Sequence, residues 1–367
     1  MEGERNAATP AVSQTAMWMT LAAMTLSNSM ILVDQTAVPL ATPDAIRDLG
    51  GSLSESQWLL TANILPLAAF MVLGGRLGDL LGLKRVFLTG GFVFLASTAL
   101  AGSAQNMPWM ISVRVAQGCG AALMMPTAVA IVSNVFPRER RGTALGVLAG
   151  GSAFFAALGP VFGGLLTSID WRTVFWVNVP LAAITIALTA RFTPPPRPGA
   201  EAERRGLDFP GVLTFALGTV ALIFGLSEVE DTSVTQPEAW VPIAIGALSL
   251  AIFVVIELRV ANPMLNFRLF RHLNFLASNI SQVLAGAIEL GLGFLLPFFL
   301  LLVVGVSPLV AGIALIPATV PIMLAGPLAG RAFDRMGAGP RSWWVFSSWP
   351  PPASRLRWRL RRRRSRG

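Results

Sequence analysis

The sequence predicts an all-α polytopic membrane protein, and three observations support this fold class. Of the 367 residues, 54% are hydrophobic and only 13% are charged, which is about half the charged share of a soluble domain. Uncharged stretches recur that are long enough to cross a bilayer, a distance that takes about 20 helical residues. Basic residues collect in alternate loops between these stretches, as loops on one side of a membrane require.

Ten membrane spans are predicted from the uncharged stretches. The last long apolar run is divided into two spans by Pro297 and Pro308. The predicted spans are 17–39, 57–75, 87–106, 109–133, 144–167, 173–191, 209–227, 240–257, 274–303 and 309–330.

The basic residues predict the orientation of these spans. Lysine and arginine favour short loops on the cytoplasmic side. If the N-terminus is cytoplasmic, only Arg47 and Arg172 fall on the other side among the loop positions up to 340. The sequence therefore predicts a multi-pass protein of the cell (inner or plasma) membrane with a cytoplasmic N-terminus. The cytoplasmic positions are Arg5, Arg76, Lys84, Arg85, Arg138, Arg140, Arg141, Arg191, Arg197, Arg204, Arg205, Arg259, Arg268, Arg271, Arg331 and Arg335.

The formal net charge of +9 comes from the end of the chain. Residues 341–367 contain nine arginines and no acidic residue, whereas residues 1–340 carry 19 basic and 19 acidic residues. A basic surface for nucleic acid is therefore absent from the predicted membrane domain, and we expect no nucleic-acid partner.

An internal repeat relates two segments of the chain at a constant offset of 255 residues. "LPLAAFMVLGGRLGDLLG" at 65–82 aligns with "VPIMLAGPLAGRAFDRMG" at 320–337. Chance similarity between two glycine-rich loops is the alternative to common descent. The offset aligns span 9 with span 1, so the repeated unit begins again after eight spans. This predicts that spans 7 and 8 are an inserted hairpin after a six-helix bundle. The matched positions are Pro66 and Pro321, Gly75 and Gly330, Arg76 and Arg331, Asp79 and Asp334, and Gly82 and Gly337.

Three charged residues lie well inside predicted spans. Asp34 in span 1 and Glu289 in span 9 are related by the same offset of 255, and Arg114 lies in span 4. Ionisable groups within a bilayer usually mark an ion or substrate path. The alternative is that the two acidic residues lie near the aqueous ends of their helices and are solvated.

The loop between spans 2 and 3 reads "GGRLGDLLGLKR", residues 74–85. Its glycines allow close backbone approach, and its aspartate suits a helix N-terminus or a basic cluster. It resembles the signature loop of the major facilitator superfamily, and "RVAQGCGAA" from Arg114 resembles that superfamily's fourth-helix motif. The residues that carry the loop resemblance are Gly75, Leu77, Asp79, Gly82, Lys84 and Arg85.

Three further segments are similar to one branch of that superfamily. "LGPVFGG" at 158–164 resembles the fifth-helix motif of antiporters. "DQTAVPLATP" at 34–43 and "WRTVFWVNVP" at 171–180 resemble patterns of the fourteen-helix drug:proton antiporters. The resemblance covers residues 17–340 and implies the major facilitator fold, with an extra hairpin after helix 6.

Span 5 carries small residues on one helix face. Gly142, Gly146 and Gly150 recur every fourth residue, which lets a partner helix approach closely. Pro160 removes a backbone hydrogen bond and bends the helix. Generic tight packing is one interpretation; the resemblance implies a hinge and a seal against the opposite bundle. The residues of the antiporter motif are Gly159, Pro160, Gly163 and Gly164.

The resemblance also suggests a partner for Arg114, because helices 1 and 4 are neighbours in the major facilitator fold. Asp34 is the nearest candidate. A neighbouring guanidinium favours an ionised carboxylate, whereas apolar surroundings favour the protonated form. We therefore expect Asp34 to exchange a proton as a cationic substrate binds, with Arg114 setting the balance and Glu289 as a third coupling residue. A purely structural ion pair between helices 1 and 4 is the alternative.

Four polar residues are candidate contacts to substrate in a central cavity. They are Asn28, Gln35, Asn63 and Gln117. Asn63 and Gln117 have the alternative role of hydrogen bonds between helices.

The chain is expected to be a C-terminally truncated transporter. After "GRAFDRMGAGP" the resemblance stops, and residues from about 341 onward contain no acidic residue and end in a run of arginines. A frameshifted end is one explanation, and a polybasic tail that binds anionic lipid is the other. The predicted organisation is 1–16 N-terminal tail, 17–191 six-helix bundle, 192–208 linker, 209–258 inserted hairpin, 259–340 start of the C-terminal bundle and 341–367 basic tail.

The predicted function is proton-coupled efflux of small amphipathic drugs or antibiotics. The expected partners are substrate, protons and the lipid bilayer, and we expect a monomer with no cofactor and no metal. An enzyme is not predicted, since His272 is the one histidine and no metal-ligand or nucleophile–base set occurs. The alternatives are an inactive membrane remnant and a solute symporter of the same fold.

Overall fold

The structure is a computed structural model that describes residues 13–194, 208–231, 236–260, 263, 265–306 and 308–336. Within these residues the regular elements are all helical. The α-helices are α1 Gln14–Leu49, α2 Leu53–Leu81, α3 Leu83–Gly102, α4 Met107–Val135, α5 Arg138–Thr167, α6 Thr173–Trp176, α7 Asn178–Phe192, α8 Phe209–Asp231, α9 Pro237–Arg259, α10 Leu273–Phe298 and α11 Pro308–Met336.

The helices agree with the predicted membrane spans. In the described part of the chain, eight helical segments are long and apolar enough to cross a membrane. They cover the first eight predicted spans, with α6 and α7 together forming the sixth. The predicted spans 274–303 and 309–330 coincide with α10, which continues into a π-helical turn at Phe299–Val303, and with α11.

The end of α1 differs from the prediction. Span 1 was expected to finish at 39, yet the helix continues through Pro39 and Pro43 to Leu49. Each proline removes one backbone donor but does not by itself end a helix that is packed on both sides. The helix ends at Gly50, whose φ of 68° is left-handed and whose N–H donates to the Ile46 carbonyl, as in many glycine-terminated helices.

The first seven helices form one bundle. α1 packs against α4, α5 and α7, α2 packs against α4, and α3 packs against α4 and α7. The starts of α1, α3 and α5 and the ends of α2, α4, α7 and α11 lie together. We call this the basic end, because it carries Lys84, Arg138 and Arg331. Its contacts include the edge-on rings of Trp18 and Phe136.

Helices α8 and α9 pack against each other, and α8 packs against the outer side of α2. Gly218, Gly225 and Gly246 are contact points between the two helices, since an added Cβ at each would meet the partner helix at less than 3 Å. The rings of Trp58 and Phe224 join α2 to α8 with centroids 5.7 Å apart. The pair occupies the residues that the sequence analysis predicts as an inserted hairpin, and its main described contact with the bundle is with α2.

Helix α11 packs along α5 through glycines. An added Cβ on Gly146 would overlap the carbonyl oxygen of Gly326, and one on Gly330 would overlap that of Gly142. The backbones therefore touch along the small-residue face that the sequence predicts for α5. This contact joins the first bundle to the second repeat, whereas α10 contacts few other described elements.

We predict that Gly146→Ala destabilises the α5–α11 contact by about 1–3 kcal/mol, because the new methyl group has to push the α11 backbone away. Thermal unfolding of the detergent-purified protein measures the effect. The control is Gly286→Ala on α10, where an added Cβ meets nothing within 4 Å. Alanine is the better helix former, so the control should be neutral or slightly stabilising. Equal unfolding temperatures for both variants would contradict the close packing.

Candidate functional site

Arg114 lies at the centre of a buried polar cluster. Its Nη1 donates to Asp34 Oδ2 at 2.5 Å and to Gln117 Oε1 at 2.8 Å, and its Nε donates to the Leu59 carbonyl at 3.1 Å. The Gln117 amide donates to the other carboxylate oxygen of Asp34 at 3.3 Å. The side chains of Arg114 and Asp34 are each only 1% exposed. The structure thus pairs the two charged residues that the sequence predicts as partners.

Close packing of α4 on α2 brings Arg114 to its backbone acceptor. An added Cβ on Gly118 would overlap the carbonyl oxygen of Asn63, so glycine is required at this contact. Gly118 follows Arg114 by one helical turn, and Asn63 follows Leu59 by one turn. Gly118 therefore contacts the turn of α2 at Asn63, and the Arg114 guanidinium reaches the preceding turn of α2 at Leu59.

An aromatic ring completes the enclosure of the guanidinium. The Cζ atom of Arg114 lies 5.8 Å from the centroid of Phe175 on the short helix α6, within the range of a cation–π interaction. Phe175 is itself 1% exposed. Residues from α1, α2, α4 and α6 thus surround one guanidinium and replace its hydration shell.

The cluster combines one buried positive charge with one carboxylate and two neutral hydrogen-bond acceptors. A buried ion is tolerated only when a partner and hydrogen bonds replace water. Asp34 supplies the countercharge from a helix that is long and apolar enough to span a membrane. Gln117 and the Leu59 carbonyl add two neutral acceptors for the guanidinium. The cluster therefore holds one positive and one negative side chain in direct contact, away from solvent.

The other candidate cavity residues do not all join this cluster. Gln117 is part of it, as described. Asn63 is 1% exposed and Asn28 is 8% exposed, and each has a buried side-chain atom without a hydrogen-bond partner among the described residues. Gln35 is half-buried. Position 289 lies within α10, and the structure does not describe the side chain of Glu289.

The antiporter motif of α5 packs against α1. Pro160 has no N–H to donate to the carbonyl of Ala156, one turn earlier. The Thr36 hydroxyl donates to that carbonyl at 2.9 Å, and lies 3.2 Å from two carbonyls of its own helix. An added Cβ on Gly159 would overlap the Thr36 hydroxyl. The glycine makes room for the group that satisfies the oxygen freed by the proline.

This arrangement differs from the expected seal. Gly159 and Gly163 contact α1, with Ala37 opposite Gly163, and so belong to packing within one bundle. Gly164 is half-buried and Pro160 is buried. The contact to the second repeat is instead made by Gly142, Gly146 and Gly150. The motif meets α1, and the small-residue face at Gly142, Gly146 and Gly150, which lies earlier in α5, meets α11.

The segment 74–85, predicted as a loop, is helical except at Gly82, because α2 continues to Leu81 and α3 begins at Leu83. Its close contacts are made by glycines that the resemblance did not single out. An added Cβ on Gly74 would overlap the Ala122 carbonyl, and one on Gly78 would lie 2.8 Å from Thr127, whereas Gly75 is 3.7 Å from Pro126. Spacing of four residues between two glycines is the signal that could have identified this face.

The remaining motif residues of the segment 74–85 have distinct roles. Gly82 joins the two helices with a φ of 97° that favours glycine. Lys84 Nζ donates to the carbonyls of Ala190 and Thr193, 2.8 and 2.7 Å away, and so caps the end of α7. Leu77 is half-buried and Arg85 is exposed. Asp79 is exposed, and among the residues that the structure describes it makes no ion pair.

Asp334, the repeat counterpart of Asp79, accepts hydrogen bonds from the second turn of α5. Its carboxylate accepts from the amides of Gly142 and Thr143, both at 2.8 Å, and from the Thr143 hydroxyl at 2.7 Å. Burial raises the pKa of Asp334, but the three hydrogen bonds together lower it by a larger amount. The carboxyl pKa therefore lies below its usual value.

No group of three or more His, Cys, Asp or Glu side chains that could hold a metal occurs among the described residues.

Comparison with known proteins identifies relatives among membrane transporters. The riboflavin transporter RibZ of Clostridioides difficile is 30% identical over 88% of this chain and 69% of its own length. The tetracenomycin C resistance and export protein of Streptomyces glaucescens is 30% identical over 88% of this chain and 60% of its own length. The methyl viologen resistance protein SmvA of Salmonella typhimurium is 32% identical over 87% of this chain and 64% of its own length.

The chain spans 60–69% of the length of these three relatives. A profile of the Major Facilitator Superfamily matches residues 17–348, which include every described helix from α2 to α11 and almost all of α1. The chain therefore belongs to the Major Facilitator Superfamily, a family of multi-pass membrane transporters of small molecules.

Proposed function

We propose that this protein is a proton-coupled efflux antiporter of amphipathic drugs or antibiotics, of the fourteen-helix branch of the superfamily. It acts as a monomer in the cell membrane, with its N-terminus and basic end in the cytoplasm. Relatives named for resistance to methyl viologen and for tetracenomycin C export support this choice. The clustering of arginine and lysine at one end supports the orientation.

The buried pair of Asp34 and Arg114 is the observation that carries the proposal. A charge pair at 2.5 Å with both side chains 1% exposed is costly to bury in a membrane protein. Ionisable groups inside a membrane usually belong to an ion or substrate path. In the proposed cycle a cationic substrate and a proton compete for Asp34. When the proton binds, the electrostatic attraction for the substrate is lost and the substrate leaves.

Thr36 links this exchange to the shape of α5. It lies two residues after Asp34 on α1, and its hydroxyl satisfies the carbonyl that Pro160 leaves free. A shift of α1 on protonation of Asp34 would change this bond, and α5 would then bend differently at the proline. Because α5 also packs on α11, the movement reaches the contact between the two repeats.

A second candidate substrate class has one specific support. A relative that is named a riboflavin transporter matches at 30% identity, so an uncharged vitamin-like solute is the alternative to a cationic drug. An uncharged solute does not compete with a proton for Asp34 by charge. Comparing riboflavin with methyl viologen in one binding assay separates the two classes.

We predict that Asp34→Asn abolishes proton release when a lipophilic cation binds, because the amide has no proton to exchange at neutral pH. A pH indicator in weakly buffered detergent solution measures the release as the substrate is added. The control is Asp44→Asn, which changes an exposed acid on the same helix and should leave the release intact.

Two outcomes of this experiment would count against the proposal in different ways. Unchanged release in Asp34→Asn would remove Asp34 from the coupling path. No release from the unaltered protein, with substrate bound, would overturn proton coupling itself.

We predict that Arg114→Gln destabilises the protein by about 3–5 kcal/mol, because Asp34 is then a buried charge without its partner. The double variant Asp34→Asn with Arg114→Gln should recover most of this loss, since neither charge remains. Unfolding in detergent measures the recovery. If the double variant still releases protons on substrate binding, the pair is structural and does not couple.

We predict that Thr36→Val leaves the Ala156 carbonyl without its donor and costs about 1–3 kcal/mol. Thr36→Ser keeps the hydroxyl and should restore both stability and proton release. The informative measurement is the number of protons released for each substrate bound, at equal folded protein. A full release from Thr36→Val would show that the α1–α5 hydrogen bond takes no part in coupling.

A further inference from the structure

A cavity lies at the basic end, where α1, α5 and α11 meet. Its volume is about 340 Å³. Trp18 and Phe136 form its aromatic wall, and Arg140 on α5 lines it together with Arg331 and Arg335 on α11. The cavity thus spans the contact between the first bundle and the second repeat, and is separate from the cluster around Arg114.

The charges in this cavity favour an anion. Arg140, Arg331 and Arg335 are exposed, and none of them forms an ion pair with a described residue. Two carboxylates also line the cavity, Glu139 and Asp334. Asp334 has both oxygens occupied by donors from the second turn of α5. Three guanidinium groups therefore face one carboxylate that is not already bound.

The aromatic wall distinguishes a lipid from a free anion. Trp18 is 43% exposed, and its ring meets Phe136 edge-on with centroids 5.6 Å apart. Exposed tryptophan at the end of a membrane-spanning helix is typical of the level of the lipid headgroups. A ligand with a phosphate and an attached acyl chain would use the arginines and the apolar wall together, whereas inorganic phosphate would use only the arginines.

We propose that this cavity binds the phosphate of an anionic phospholipid from the leaflet at the basic end. Arginine forks bind phosphate oxygens in pairs, and basic pockets between membrane helices suit anionic headgroups. The bound lipid bridges Arg140 on one side to Arg331 and Arg335 on the other, and so stabilises the state in which α5 and α11 are in contact. This inference does not require drug export or proton coupling.

Native mass spectrometry of the detergent-purified chain tests the site, with phosphatidylglycerol as the probe and phosphatidylcholine as the neutral comparison. We expect phosphatidylglycerol to bind in preference, and to raise the unfolding temperature. Arg331→Gln combined with Arg335→Gln should weaken its binding by about tenfold or more, since each arginine contributes about 1 kcal/mol near an anionic surface. Arg259→Gln, an exposed arginine on α9 that does not line the cavity, should bind as the unaltered protein does.

Two further variants protect the test from a folding defect. Arg140→Gln removes a guanidinium from the α5 side alone, and Trp18→Ala removes the aromatic wall. Each should weaken phosphatidylglycerol binding while the protein remains monodisperse and helical by circular dichroism.

Three results would overturn the proposal. The first is equal binding of phosphatidylcholine and phosphatidylglycerol. The second is displacement of phosphatidylglycerol by an equal concentration of inorganic phosphate, which would indicate a site for free anions. The third is unchanged lipid binding in folded Arg331→Gln with Arg335→Gln and in Arg140→Gln.

Discussion

The guanidinium of Arg114 imposes the main constraint on this fold. A charge that is 1% exposed inside a helical bundle needs a countercharge and enough acceptors to replace water. Asp34, Gln117 and the Leu59 carbonyl meet this need from three helices. The glycine at 118 is part of the same requirement, because α4 must approach α2 closely for the carbonyl to be within reach.

The contact between the two repeats depends on small residues and one carboxylate. Glycines of α5 and α11 bring the two backbones together, and Asp334 binds amides in the second turn of α5. Its repeat counterpart, Asp79, is exposed. Two residues at matching positions of the repeat, each near the end of its helix, therefore lie in different environments, because their surroundings depend on which helix packs beside them.

Sequence reasoning succeeded where one physical demand had few solutions. A buried arginine needs an acidic partner within the bilayer, and Asp34 was the candidate for Arg114 on a neighbouring helix. It failed where several residues satisfy the demand equally. The end of α1 was placed at Pro39, although Gly50 ends the helix. The close contacts of the segment 74–85 are made by Gly74 and Gly78, which the motif resemblance did not mark. Such choices depend on which helix face meets a partner.

The sequence by itself determined the membrane class, the ten helical segments, the repeat and the charged residues that need partners, because hydropathy, charge placement and internal similarity are properties of the chain alone. The tertiary structure decided which atoms meet. The bond from Thr36 to the carbonyl freed by Pro160 joins residues 120 positions apart. The hydrogen bonds that Asp334 accepts from the second turn of α5 join residues still farther apart in the chain. Such contacts follow from helix rotation and depth, which a linear pattern does not contain.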